Sequence, residues 1–362
     1  MSAGPVLIMA GGTGGHVFPA LALARLLRQE SCEVIWLGTR RGMEAKIVPA
    51  ENIPVEWITI GGLRGKGLLT LLMAPFRLFR ALWQSLRIMR RRRPRVVVGL
   101  GGFVTGPGGV AAWLTRRPLL IHEQNAVAGF TNRCLSHLAR EVLEAFPGSF
   151  GGQDRARAIG NPVRADIAAL PAPAERFASR TGAIRLLVIG GSQGAVKLNR
   201  TVPEAIAHLA GKTDLVVRHQ AGERWIDMAR ESYAHAKVDA DVVPFIGDMA
   251  QAYAWADLVV CRAGALTISE LTAAGVGSIL VPFPAAVDDH QTRNARFLVE
   301  AGAALLIPES ELSAERLARE LETLCANRAG LLMMGARARA LAKPDAAMEL
   351  AAACRRFLPE AA

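Results

Sequence analysis

Along the chain, short apolar runs alternate with longer stretches whose apolar residues recur every three or four positions, a pattern that predicts strands each followed by a helix. Val6–Ala10 is such a run. It ends in Gly11-Gly12-Thr13-Gly14-Gly15-His16, after which Val17–Leu27 takes helical spacing. Arg185–Ile189 repeats the device: Gly190-Gly191-Ser192-Gln193-Gly194-Ala195 follows, then a helical stretch carrying Leu198, Val202, Ile206 and Leu209. Further strands are predicted at Val34–Leu37, Val96–Leu100 and Leu119–His122, and at Leu215–Arg218, Leu258–Cys261 and Ser278–Val281. Short Val/Ile/Leu-rich strands separated by helix-length segments predict an α/β chain with doubly wound parallel sheets, whose ligands lie at the strands' carboxyl ends. Both glycine turns fall at such ends.

The two copies begin about 180 residues apart, one domain's worth, so the repeat predicts two similar domains rather than a solenoid. The join is expected near Gly160-Asn161-Pro162-Val163-Arg164, before the Ala/Pro-rich Ala168–Ala174, which divides the chain into 1–163 and 164–340. Residues 341–362 hold a predicted helix, from about Ala346 to Phe357, able to pack back on the first domain. The length of 362 residues and the 51% hydrophobic content suffice for two cores. Five cysteines, an odd number with no CxxC pair, argue against a disulfide framework or a structural zinc and fit a reducing cytoplasm. No basic segment precedes the short first apolar run, so a signal peptide is not expected, and no apolar stretch approaches the ~18 residues of a spanning helix.

A net charge of +11 calls for an anionic partner: a phosphorylated ligand, an acidic membrane surface or nucleic acid. The segment from Leu68 to Arg93 narrows the choice. Pro75 is placed to open a helix on which Leu72, Phe76, Phe79, Trp83 and Leu86 form one stripe, with Leu71, Leu78, Leu82 and Met89 beside it. Arg77, Arg80, Arg87 and Arg91 flank the first stripe. One stripe can face the core while the other lies among the headgroups of an anionic bilayer; a single wide core face with a solvated basic rim would give the same spacing. Nucleic acid is disfavoured, because bases want aromatic platforms spread over a groove.

A glycine turn at a helix N-terminus offers backbone amides and the positive end of the helix dipole to a phosphate, although tight strand-to-helix packing also calls for glycine. Neither copy matches GxGxxG or GxxxxGK[ST]. Another cluster, Gly99–Gly109, follows a first-half strand, and two phosphate-type loops in one domain suggest a diphosphate there. His122-Glu123-Gln124-Asn125 places four polar side chains at a strand's end, as a site lining or a solvated loop. In Cys261–Glu270 a strand again meets a helix start. There Thr267 and the local amides could hold a phosphate, and Glu270 could accept from a ribose diol or serve as a capping residue. Pro282–Asn294 adds Asp288, Asp289, His290, Gln291 and Asn294, suited to sugar hydroxyls more than to a metal. His16, at a helix start where the dipole favours the neutral imidazole, is a candidate general base or a capping histidine.

Eight segments together carry a more specific likeness: GGTGGHVFPALALA (11–24), LRGKG (63–67), GGFVTGPGGVAAW (101–113), HEQNAVAGFTN (122–132), GNPVR (160–164), GGSQGA (190–195), RAGALTISE (262–270) and VPFPAAVDDHQTRNA (281–295). In these, and in their order over nearly the whole length, the chain resembles the MurG family of bacterial glycosyltransferases, family 28. The resemblance implies a GT-B fold, two Rossmann-like domains with an interdomain cleft. It implies an inverting transfer of N-acetylglucosamine from UDP-GlcNAc to the muramyl C4 hydroxyl of lipid I, giving lipid II and UDP in peptidoglycan synthesis. Donor contacts carried over are Arg164, Ser192, Ile246 beside the uracil, Ala265, Leu266, Thr267, Ile268, Ser269, Glu270 and Gln291, with Thr13, Gly14, Gly15 and Asn125 reaching across from the first domain. Gly14, Gly15, Gly102, Thr105 and Gly106 are the expected lining of the acceptor diphosphate, and Leu72, Phe76, Phe79, Arg80, Trp83 and Arg87 the expected membrane contacts. His16 is the first candidate for the base, with Asn125 and Glu270 as positioners. Phe103 stands where the family often has Tyr, so any role for that hydroxyl is missing.

The resemblance implies no cofactor and no metal, with helix N-termini and hydroxyls stabilising the leaving diphosphate. It implies a peripheral place on the cytoplasmic face of the bacterial membrane, contact with anionic lipid, no nucleic acid, and cell-wall or division proteins as further partners. Two competing readings stand beside it: another GT-B UDP-sugar enzyme, with a different acceptor or acting as a 2-epimerase, and a basic nucleotide- or RNA-binding protein without enzymatic activity.

Overall fold

The computed structural model describes residues 4–61, 72–152, 155–191, 194–286 and 289–358. The expectations for Leu71, the LRGKG segment, Ser192 and Asp288 lie outside the described residues. Two units divide the chain: one takes residues 1–163 together with 344–362, and the other takes 164–343.

The first unit is built on seven parallel strands, β1 (Val6–Ala10), β2 (Val34–Gly38), β3 (Val55–Trp57), β4 (Val96–Gly101), β5 (Leu119–Glu123), β6 (Glu141–Glu144) and β7 (Ala156–Ala158), in the order β3-β2-β1-β4-β5-β6-β7. Alternation along β1 shows why the run has no polar member. Val6, Ile8 and Ala10 pack under the Gly14–Gln29 and Ala346–Arg355 helices, while Leu7 and Met9 pack under Ala74–Arg92 and Thr105–Leu114. A strand covered on both faces has no outlet for a polar residue, and each large side chain so buried contributes about 1.5–3 kcal/mol.

The second unit holds β8 (Ile184–Ile189), β9 (Leu215–Gln220), β10 (Asp241–Val243), β11 (Leu258–Cys261), β12 (Gly277–Leu280) and β13 (Ala304–Leu306), all parallel, in the order β10-β9-β8-β11-β12-β13. Both sheets are therefore doubly wound, as the patterning predicts. Each reverses its winding once, between β1 and β4 and between β8 and β11, and ligand crevices form at the carboxyl ends of such switch points. The glycine turns after β1, β4 and β8, and the Arg262–Glu270 segment after β11, stand there. No helix among the described residues is long and apolar enough to cross a membrane.

Candidate functional site

In the first unit the glycine turns after β1 and β4 meet. A Cβ on Gly102, whose φ is +84°, would collide with the Gly11 carbonyl, and one on Gly101 would lie 2.6 Å from the His16 ring. Thr13 is the N-cap of the Gly14–Gln29 helix, and Gly14, Gly15 and His16 form its first turn, where the Gly14 and Gly15 amides face no preceding turn of helix and the His16 amide donates to the Thr13 carbonyl at 3.1 Å. Glu44 anchors the turn from behind. This fully buried carboxylate accepts from the Gly12 amide at 2.9 Å and from the Thr39 amide and hydroxyl at 2.9 and 2.8 Å.

Thr105, expected at the acceptor diphosphate, is fully buried. Its hydroxyl donates to the Gly101 carbonyl at 2.8 Å and accepts the Gly101 amide at 3.2 Å, so its side chain shapes the turn. Gly106 follows in the first turn of the Thr105–Leu114 helix.

The run His122–Asn125, which begins within β5, is a network rather than a solvated loop. His16 Nδ1 lies 2.9 Å from Gln124 Oε1, Gln124 Nε2 lies 3.0 Å from His122 Nδ1, and His122 Nε2 lies 2.9 Å from the Gly160 carbonyl. Glu123 accepts from the Asn125 amide and side chain at 3.0 and 3.1 Å, from the Gly129 amide at 3.2 Å and from Asn132 at 2.8 Å. The structure thus joins His16 to Gln124, next to Asn125, and holds Asn125 itself through Glu123.

In the second unit the N-terminal turn of the Ala265–Ala274 helix presents the Ala265, Leu266 and Thr267 amides, while the side chains of Ala265 and Ile268 are buried. Ser269 turns its hydroxyl to the Ala265 carbonyl. Glu270 is bonded by the Tyr253 hydroxyl at 3.0 Å and lies 3.9 Å from Arg164, whose Nε is buried with no hydrogen-bond partner. Burial raises the Glu270 carboxyl from 4.5 to about 7, against the opposing pull of Arg164 and Tyr253. Gln291 accepts the Phe283 amide at 2.9 Å and buried Asn294 donates to the Ala263 carbonyl at 3.2 Å, so the segment after β12 is tied to itself and to the turn after β11. Ile246 is almost wholly buried.

Sequence reasoning did not single out Gln124, Glu123, Glu44 or Tyr253. The first two stood in a polar run already noticed, but a lone Glu at the head of a short helix and a Tyr in an apolar stretch gave no signal.

On the helix Ala74–Arg92, Ala81, Ser85, Ile88 and Met89 face the core. Leu72, Phe76, Phe79 and Trp83 do not: Phe79 is 68% and Trp83 54% exposed, with the Arg87 guanidinium 5.7 Å from the Trp83 ring. The alternative of a single wide core face does not hold for these rings, which are left outward, whereas Leu86, expected in the same stripe, packs with Leu82 partly buried against the core beside Ala81, Ile88 and Met89.

Residues 6–144 match the model of the glycosyltransferase family 28 N-terminal domain, and residues 185–350 that of the family's C-terminal domain. The chain is 60% identical, over 353 residues, to the UDP-N-acetylglucosamine--N-acetylmuramyl-(pentapeptide) pyrophosphoryl-undecaprenol N-acetylglucosamine transferase of Alkalilimnicola ehrlichii, with 97% of this chain and 98% of that protein aligned. It is 57% identical over 340 residues to the protein of the same name from Marinobacter nauticus, with 94% of each aligned. Its fold matches the crystal structure of Acinetobacter baumannii MurG with a TM-score of 0.86 at 41% identity, covering 98% of this chain and 99% of that one.

Proposed function

The chain belongs to glycosyltransferase family 28, and from that premise we propose that it moves N-acetylglucosamine from UDP-GlcNAc to the muramyl C4 hydroxyl of lipid I, releasing lipid II and UDP. The observation that carries this reading is 60% identity over 97% of the chain to a transferase named for that reaction. The same identity disfavours a 2-epimerase, which needs no acceptor, and a nucleic-acid-binding protein.

The second unit binds the donor. Arg164, Ser192 and the amides of Ala265–Thr267 meet the diphosphate, Ile246 lies beside the uracil, Glu270 accepts from the ribose diol, and Ile268, Ser269 and Gln291 complete the pocket. The first unit binds the acceptor, with Gly14, Gly15, Gly102 and Gly106 at its diphosphate and Asn125 as a positioner. His16 takes the proton of the C4 hydroxyl as that oxygen bonds to the anomeric carbon and the bond to UDP breaks, inverting the configuration. Preorganised amides stabilise the departing diphosphate. The outward stripe of Leu72, Phe76, Phe79 and Trp83, edged by Arg80 and Arg87, lies on the cytoplasmic leaflet of the bacterial membrane, where the lipid-linked acceptor is found.

Incubation with UDP-GlcNAc and a soluble lipid I analogue tests the reading. The expected products are the disaccharide lipid and UDP, and UDP-ManNAc formed without acceptor would overturn it. His16→Ala is expected to lower turnover by about 10²–10⁴-fold; near-native turnover would remove His16 as the base.

A further inference from the structure

The bonds linking His16, Gln124 and His122 admit one arrangement of protons. The Gly160 carbonyl can only accept, so His122 donates to it from Nε2. His122 is fully buried and its burial opposes the charged ring, which leaves Nδ1 as an acceptor. The Gln124 amide nitrogen supplies that acceptor at 3.0 Å and also donates to the His122 carbonyl at 3.0 Å. Two acceptors on that side fix the amide against a flip. Gln124 Oε1 therefore faces His16, and an amide oxygen also only accepts, so the hydrogen at 2.9 Å sits on His16 Nδ1. A neutral imidazole carries one N–H, so the lone pair of His16 is on Nε2.

We propose that Gln124 and His122 are positioning residues for the transfer: anchored on Gly160, they hold His16 in the Nδ1–H tautomer and leave Nε2 to take the acceptor's proton. This rests on the transferase reading. As the C4 oxygen bonds to the anomeric carbon, the electron pair of the broken bond leaves on UDP and the hydroxyl proton goes to Nε2. Nδ1–H keeps its bond to Gln124, and the ring becomes an imidazolium. The relay orders His16 as a buried carboxylate orders a serine protease's histidine, but its amide is neutral, so it orients the base without adding charge to it. Free histidine in water favours the opposite tautomer, which has no lone pair at Nε2.

The test reads the ring nitrogens of His16 by ¹⁵N NMR in the full chain, assigned by their loss in His16→Asn. The wild type should show Nδ1 protonated and Nε2 not. In Gln124→Leu the population should move toward Nε2–H, and kcat should fall about 10²-fold or more with KM for UDP-GlcNAc changed less than about threefold. Gln124→Glu keeps an acceptor facing Nδ1, with its second oxygen protonated against the His122 carbonyl and Nδ1, so the tautomer and most of kcat should survive. Thermal unfolding of both variants separates misfolding from misorientation, and the near-isosteric Glu variant keeps the test open if Leu is not tolerated. A wild-type Nε2–H tautomer, or a folded Gln124→Glu protein whose His16 moves to Nε2–H, would overturn the proposal. A wild type that transfers no GlcNAc would instead sink the transferase reading, and the tautomer would still decide whether the relay exists.

Discussion

The hydroxyl of Tyr253, on the Met249–Trp255 helix, donates to Oε2 of Glu270, on the Ala265–Ala274 helix, at 3.0 Å. Tyr253 is wholly buried, and Arg164, 3.9 Å from the other carboxylate oxygen, favours the charged carboxylate, while Asp166 opposes it. With the carboxyl raised to about 7, acid below neutrality adds a proton and removes the acceptor proposed for the ribose diol. KM for UDP-GlcNAc is expected to rise toward tenfold per pH unit below about 7, and Glu270→Gln to give a high KM that no longer depends on pH. The stability effect has the opposite sense. A carboxyl whose folded value lies above its ordinary 4.5 stabilises the fold below that value, and the contribution is lost as pH rises to about 7. Denaturant titrations at acid and neutral pH should show Glu270→Gln gaining on the wild type toward neutrality.

Gly102→Ala should lose activity through the backbone. A left-handed φ of +84° costs a Cβ-bearing residue about 1–2 kcal/mol, and the new atom would press on the Gly11 carbonyl, which is main chain and cannot swing away. A drop in Tm of several degrees together with a fall in kcat is expected; an unchanged Tm would show that the two turns separate freely.

Asp257 is buried between Arg180 and Arg328 and accepts the Arg185 amide at 3.0 Å. Asp257→Asn leaves the two guanidinium groups without their carboxylate. A loss of about 3–5 kcal/mol is expected by urea denaturation, and a loss under about 1 kcal/mol would show that water reaches the pair.

Replacing Phe79 and Trp83 by Ser should leave stability within about 0.5 kcal/mol per site, because neither side chain is in the core. Sedimentation with anionic vesicles should fall tenfold or more, and Arg80→Glu with Arg87→Glu should weaken it further at low salt than at high salt. Binding that ignores all four changes would remove this face from the membrane.

The central strands were legible because a strand covered on both faces is a continuous apolar run, and the runs at Val6–Ala10 and Leu258–Cys261 have the same limits in the structure. The edge strands Val55–Trp57, Ala156–Ala158, Asp241–Val243 and Ala304–Leu306, and Glu141–Glu144 one place in from an edge, were not, since each is three or four residues long and several carry charge. The glycine turns pointed to the carboxyl ends of the sheets. What lay beyond reach was pairing across the fold: Glu44 against Gly12 is 32 residues apart and Gln124 against His16 is 108, and no local pattern encodes either. Thr105 shows the converse, a residue whose type suited a phosphate but whose hydroxyl the turn itself consumes.

The Ala346–Arg355 helix buries Leu350, Ala351, Ala353 and Cys354 against the core that β1 and the Gly14–Gln29 helix share. On the ribosome, the first unit therefore waits for some 180 residues of the second before its hydrophobic face can close. The second unit shortens that wait in space: Arg339 donates to the Ala168 and Leu170 carbonyls, so its folding draws its own first and last segments together and delivers the late helix close to where the chain left the first unit. Loop-closure entropy that a flexible connection of that length would impose is thereby largely removed. Truncation before Ala346 should leave the second unit able to fold and the first one open, a vectorial order of assembly written into the connectivity.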